Sequence, residues 1–170
     1  MNNTGMRRHG NSSSGQSMVE LAAGLVICIP IFLSIIDLGF VAMGASANDS
    51  VCKEAAAAAA SGPPSTTNAP STNQLSAGQS GYDLAVSTIK VHQPTRMPAQ
   101  VSEEPIVSEQ LVDVPPAEQG GAVDGEMSVI TTVVISPPFL LGAYFGKQGV
   151  KLTSKHVAPF TYVVPRAPSS

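Results

Sequence analysis

The chain has 170 residues, 43% of them hydrophobic but only 12% charged, where a soluble globular domain carries about 25%. Trp is absent and the formal net charge is -3, which gives no electrostatic footing for a nucleic-acid partner. The distribution excludes an evenly mixed cytosolic domain: residues 21–36 hold no charge, whereas residues 61–81 are nearly all Ser, Thr, Pro, Asn, Gln and Gly.

In chain order, residues 19–43 form the first element. The run is apolar and long enough to cross a bilayer, since about 20 helical residues at about 1.5 Å each span roughly 30 Å of hydrocarbon. Glu20 and Asp37 stand about 26 Å apart along such a helix, near opposite interfaces. Pro30 falls near the middle, where it removes a donor and predicts a kink that neighbouring helices can accommodate. Arg7 and Arg8 precede the run, so the N-terminus is expected to stay cytoplasmic and the remainder to be exported. The competing reading is a removable secretory leader, with Ala45-Ser46-Ala47 as its small-x-small cleavage site. An apolar region of about 22 residues exceeds the roughly 7 to 15 of a signal-peptide core and favours an anchor.

No Gly or Pro interrupts residues 45–61, and Ala55 to Ala60 have the best intrinsic helix propensity. The helix is therefore expected to continue over residues 16–60, about 68 Å, and to stop at Gly62-Pro63-Pro64. Ala42, Ser46 and Ser50 make a small-residue ridge on which another helix can pack closely; simple Ala propensity with little packing is equally open. Cys28 and Cys52 lie about 36 Å apart on this helix and cannot bridge one another. Cys28 reads as a small lipid-facing or core residue. For Cys52 two readings stand, an intermolecular disulfide in an oxidising compartment or a buried small side chain.

Residues 62–81 read as a polar linker that no packed core need include. Residues 82–164 are expected to form a small exported β-rich domain, followed by a tail at 165–170. Tyr82, Leu84, Val86 and Thr88 alternate and predict a half-buried strand over 82–91. Residues 106–114 are a weaker, acidic strand candidate. Residues 127–135, rich in β-branched side chains, predict the central strand. Residues 150–157 and 160–164 predict a late strand or strand pair interrupted by Pro159, and 139–145 a helical turn carrying Phe139, Leu140 and Tyr144 onto the sheet. The fold class expected is α+β, a long N-terminal transmembrane helix acting as a spine and followed by a small antiparallel β-sheet domain.

Residues 97–126 contain seven acids and no base, and residues 127–170 contain Lys147, Lys151, Lys155 and Arg166 and no acid; the two stretches can attract each other within or between subunits. His9, His92 and His156 have no ligand-like spacing, and neither a nucleophile elbow nor a phosphate-binding Gly loop is present. No enzyme activity, cofactor or metal is expected.

Gly15-Gln16-Ser17-Met18-Val19-Glu20 places a Gly five positions before an acid, between a short basic polar leader and an apolar helix. This resembles a class III prepilin signal, which implies a leader over 1–15, cleavage between Gly15 and Gln16 by a membrane prepilin peptidase, and Glu20 as the fifth residue of the mature chain. Ser17-Met18-Val19-Glu20, then Ile36-Asp37-Leu38-Gly39, then Lys53-Glu54 followed by six Ala resemble the TadE-like pseudopilins. Members of that family typically show a Val-Glu-Phe start, an Ile-Asp-Phe-Gly segment and an Ala-Arg-rich helix. Leu21 and Leu38 stand here where the family has aromatics, and Lys53 alone replaces its arginines. Residues 129–154 resemble the family's end region, an apolar strand, a Pro-containing connection and a second strand. The likeness covers residues 6–60 and 127–162.

The resemblance implies a minor pilin-like subunit acting in assembly of a tight-adherence (Flp-type) pilus or related secretion apparatus. Its implied partners are a prepilin peptidase, other pilin-like subunits, an inner-membrane assembly platform and membrane lipid. Its implied place is the inner membrane, single-pass, with the C-terminal domain periplasmic. Cleavage would expose an α-amino group at Gln16 with a reference pKa of about 7.7 to 8.0, hence largely cationic. A carboxylate on a neighbouring helix, Glu20, can neutralise it and set subunit register. Asp37 has two open roles, a hydrated interfacial acid or a partner contact. The alternative function is a signal-anchored or secreted extracytoplasmic binding module.

Overall fold

The computed structural model describes residues 13–67, 70–92, 99–101, 103–116 and 119–165. Arg7 and Arg8, which carry the orientation reading, lie outside the described residues, as do His9 and Arg166.

Helix α1 runs over Ser13–Ala60, 48 residues, without interruption at Pro30. Ser34 Oγ donates to the Pro30 carbonyl at 2.9 Å. The helix ends where its breakers predict: Gly62 N–H reaches back to Ala59 O at 3.3 Å and Ser61 Oγ donates to Ala58 O at 2.7 Å, satisfying last-turn carbonyls before the two prolines.

The remainder builds an antiparallel sheet of five strands: β1 Thr72–Gln74, β2 Ala99–Val101, β3 Ile106–Asp113, β4 Gly121–Ile135 and β5 Val150–Val164. The architecture is α+β, a long apolar N-terminal helix with a small antiparallel sheet. β4 is the central strand, as its β-branched run predicts. β5 pairs with it from Gly121↔Val164 to Ile135↔Val150, while β3 and β2 share its other side and β1 lies outside β3. Odd-numbered positions of β4 from Val123 to Ile135 are buried and the even ones are not, the period-2 pattern of a sheet with one covered face. Gly125 permits a close approach on that face: a Cβ there would stand 2.7 Å from Phe160 Cζ and 2.7 Å from Gln110 O. Phe160, opposite in register, covers the glycine.

Four sequence expectations are corrected. Residues 82–91 are not a strand but lie in helix α2, Ser80–His92. The alternation of Tyr82, Leu84, Val86 and Thr88 masks a second period, because Gly81, Ala85 and Ile89 recur every four residues and are the buried ones. Their small face packs against α1, and Asp83, an acid in the first turn where the helix dipole favours one, accepts the Gly78 N–H of the preceding turn at 3.2 Å. Residues 62–81 are not a linker outside the core: β1 pairs with β3, and Leu75 is buried. Pro159 does not split the last strand, since β5 is continuous and Pro159 pairs with Glu126 in register. Among the described residues β5 pairs only with β4, and an edge position is where a strand tolerates a residue lacking N–H. Finally, residues 139–145 do form a helical turn, α3 over Leu140–Phe145, but none of its residues is buried; Phe139, Leu140 and Tyr144 are exposed rather than laid onto the sheet.

The core lies between α1, α2 and the covered face of the sheet. Cys52, Ala55, Ala56 and Ala59 of α1 meet Ala85 and Ile89 of α2 and Val107, Leu111, Val123, Met127 and Val129 of the sheet. Small helix side chains bury little area each, but they let three elements approach closely.

Candidate functional site

α1 divides into two unlike parts. Gln16–Ala60 is long and apolar enough to cross a membrane, and its N-terminal portion is almost wholly exposed, with Leu21, Leu25, Val26, Ile27, Ile31 and Phe32 bare. From Asp37 onward one face meets the sheet domain. Asp37, Gly44, Asn48, Cys52, Ala55, Ala56 and Ala59 are its buried positions, the spacing of one helix face. At Gly44 an added Cβ would lie 2.0 Å from Ile135 Cδ1, so this glycine admits the end of β4 against the helix.

That face is held by polar side chains at Asp37, Asn48 and Cys52. Asp37, fully buried, accepts the backbone N–H groups of Phe139 at 3.0 Å and Leu141 at 2.8 Å, which ties the start of α3 to the helix. Asn48 Nδ2 donates toward the carbonyls of Thr131 and Leu152, both at 3.4 Å, and its Oδ1 accepts Thr131 Oγ1 at 2.9 Å, spanning β4 and β5. Cys52 Sγ donates to Val129 O at 3.2 Å and toward Ser154 O at 3.4 Å. Asp49 lies beside β5, with His156 Nε2 at 2.8 Å and Ser154 Oγ at 3.4 Å. The hydrogen bond with His156 holds the Asp49 carboxyl below its ordinary value, against a smaller opposing effect of desolvation. At the far end Glu109, fully buried on β3, accepts Ser65 N–H at 3.1 Å and the Ser65 hydroxyl, fixing the turn that follows α1.

The sequence-predicted residues fall into separate places. Gly15 and Gln16 lie in the first turn of α1, and Gln16 Nε2 donates to Glu20 Oε1 at 3.2 Å on the exposed surface. Glu20 is thus bare while Asp37 is enclosed; the hydrated role expected as one alternative for Asp37 does not hold, and its bonds are to its own chain, a third arrangement beside the hydrated acid and the partner contact. Ala42, Ser46 and Ser50 form a ridge that is exposed, pointing away from the sheet. Cys52 is in the core, as the buried-side-chain reading has it, and Cys28 is exposed on the apolar portion. The acidic and basic stretches meet within the chain at Lys151–Glu103, 2.8 Å, an exposed pair of little energetic weight. Among the described residues no group of three His, Cys, Asp or Glu is placed to hold a metal ion.

Sequence reasoning missed Asn48, Asp49 and Glu109. Asn48 carried a signal: with Asp37, Gly44, Cys52 and Ala59 it lies on one helical stripe. Ala42 is two positions from Gly44, about 200° around the helix, so the ridge chosen from sequence is the opposite face. No family model matches the chain, and neither a curated protein nor a solved structure matches it.

Proposed function

We propose that the chain is a minor pilin-like subunit similar to the TadE-like pseudopilins. In this reading a prepilin peptidase cleaves it after Gly15, α1 anchors it once in the inner membrane with its N-terminus cytoplasmic, and the sheet domain is extracytoplasmic. Its role is assembly of a tight-adherence (Flp-type) pilus or related secretion apparatus, together with other pilin-like subunits and an inner-membrane platform. The observation that carries the reading is the division of one continuous helix. A bare apolar portion begins beside the Gly15-Gln16 and Glu20 motif, and a clasped portion bears a small sheet, which is the arrangement a subunit needs to be held in lipid by one end and packed among neighbours by the other. The exposed Ala42, Ser46 and Ser50 ridge is available to a neighbouring helix, and Glu20 to a neighbouring α-amino group.

A signal-peptidase cut after Ala47 fits less well. It would divide α1 immediately before Asn48, whose side chain clasps β4 and β5, and would separate Asp37 from the loop it holds. The N-terminus of the mature protein decides between these fates. Sequencing is expected to find Gln16; Asn48 would mark ordinary secretion and Met1 an uncut anchor, and either would end the pilin-like reading.

A further inference from the structure

We propose that α3 is a second membrane contact, a foot by which the sheet domain rests in the outer interfacial layer of the bilayer; this rests on the reading of α1 as the membrane span. Counting about 20 helical residues from Leu21, the hydrocarbon layer ends near Phe40, so Asp37 lies about 5 Å inside it. A carboxylate at that depth needs enclosure and partners, and Asp37 has both, its oxygens bonded to the N–H groups of Phe139 and Leu141. Because those N–H groups open α3, the same bonds fix α3 at the depth of Asp37.

The surface carried to that depth suits lipid. Leu140–Phe145 contains no charge and buries none of its residues. Phe139, Leu140 and Phe145 are exposed, Tyr144 is 85% exposed, and its ring meets that of Phe145 edge to face with centroids 5.3 Å apart. Exposed aromatic rings of this kind are costly in water and favourable at the headgroup level, where an apolar ring body and a polar hydroxyl are both satisfied. On α1 the exposed apolar surface continues past the same level through Ile35 and Leu38. The occupant is therefore the bilayer that surrounds α1, continuous from the helix onto the foot.

The natural absence of Trp allows single-Trp reporters in the full chain, reconstituted in phosphatidylcholine vesicles containing brominated acyl chains. Three variants are compared: Tyr144→Trp on the foot, Leu25→Trp on the apolar portion of α1, and Val157→Trp on the exposed face of β5. Expected are blue-shifted emission from Tyr144→Trp with loss of intensity greatest for bromines near the headgroup, loss greatest for deep bromines from Leu25→Trp, and no loss from Val157→Trp. Red, unquenched emission from Tyr144→Trp beside a quenched Leu25→Trp overturns the foot and leaves the span intact. Blue but unquenched emission there means a protein surface covers α3, such as a second copy, and also overturns it. An unquenched Leu25→Trp removes the span itself and the foot with it. Equal quenching of Val157→Trp means the whole sheet lies on lipid and overturns the assignment to α3.

Discussion

Asn48 is buried between α1 and the sheet, and each of its polar atoms is bonded to β4 or β5. Asn48→Ala leaves the buried Thr131 hydroxyl without that acceptor and takes an additional donor from two carbonyls of the β4–β5 ladder, so a loss of about 1–3 kcal/mol is expected. Cys52→Ala, one turn further on, removes only weak thiol donation and one heavy atom, and is expected to cost about 1 kcal/mol or less. Urea unfolding of the detergent-solubilised protein, followed by circular dichroism, compares the two; a Cys52→Ala loss equal to that of Asn48→Ala would mean packing rather than hydrogen bonding holds this face. The burial of Cys52 has a second consequence at this scale. Non-reducing electrophoresis of the native protein is expected to show no dimer that Cys52→Ser abolishes.

Among the elements, α1 and β4 were legible in sequence because each is specified locally. An unbroken apolar and Ala-rich run ending in Gly-Pro-Pro permits little besides helix, and seven residues from Val129 to Ile135 rich in β-branched side chains favour a strand. α2 was not legible, since its residues satisfy period 2 and period 4 together and only the small surface offered by α1 selects the second. The clasping residues of α1 share a helical stripe, but their partners were illegible for a different reason: Asp37 finds its own 102 and 104 positions away and Asn48 finds its own 83 and 104 positions away, distances over which composition carries no signal. The Asp37 clasp is testable alone. Asp37→Ala frees two part-buried N–H groups from a carboxylate, each bond contributing about 1.5–3 kcal/mol, and amide exchange at Phe139 and Leu141 is expected to rise about tenfold or more while exchange in the centre of β4 stays unchanged. Unaltered exchange at both amides would show that α3 is held by something other than Asp37.

For the whole molecule, the question is whether α1 is an anchor attached to an independent domain or a structural part of that domain. Its contacts answer the second: the described core takes Cys52, Ala55, Ala56 and Ala59 from α1, and without them Met127 and Val129, both fully buried, face water. A small domain has little reserve for such a loss. A chain of residues 44–165 keeps Gly44, the Asn48 and Cys52 bonds and the Ala face, so it is expected to unfold in one cooperative transition without lipid. A chain of residues 61–165 is expected to lack that transition, even though every strand is present. Urea titrations of the two fragments, read by near-ultraviolet circular dichroism, make the comparison, and a cooperative transition in the shorter fragment would reassign α1 to anchoring alone. The boundary between the bare apolar portion and the fold then falls within the helix rather than after it.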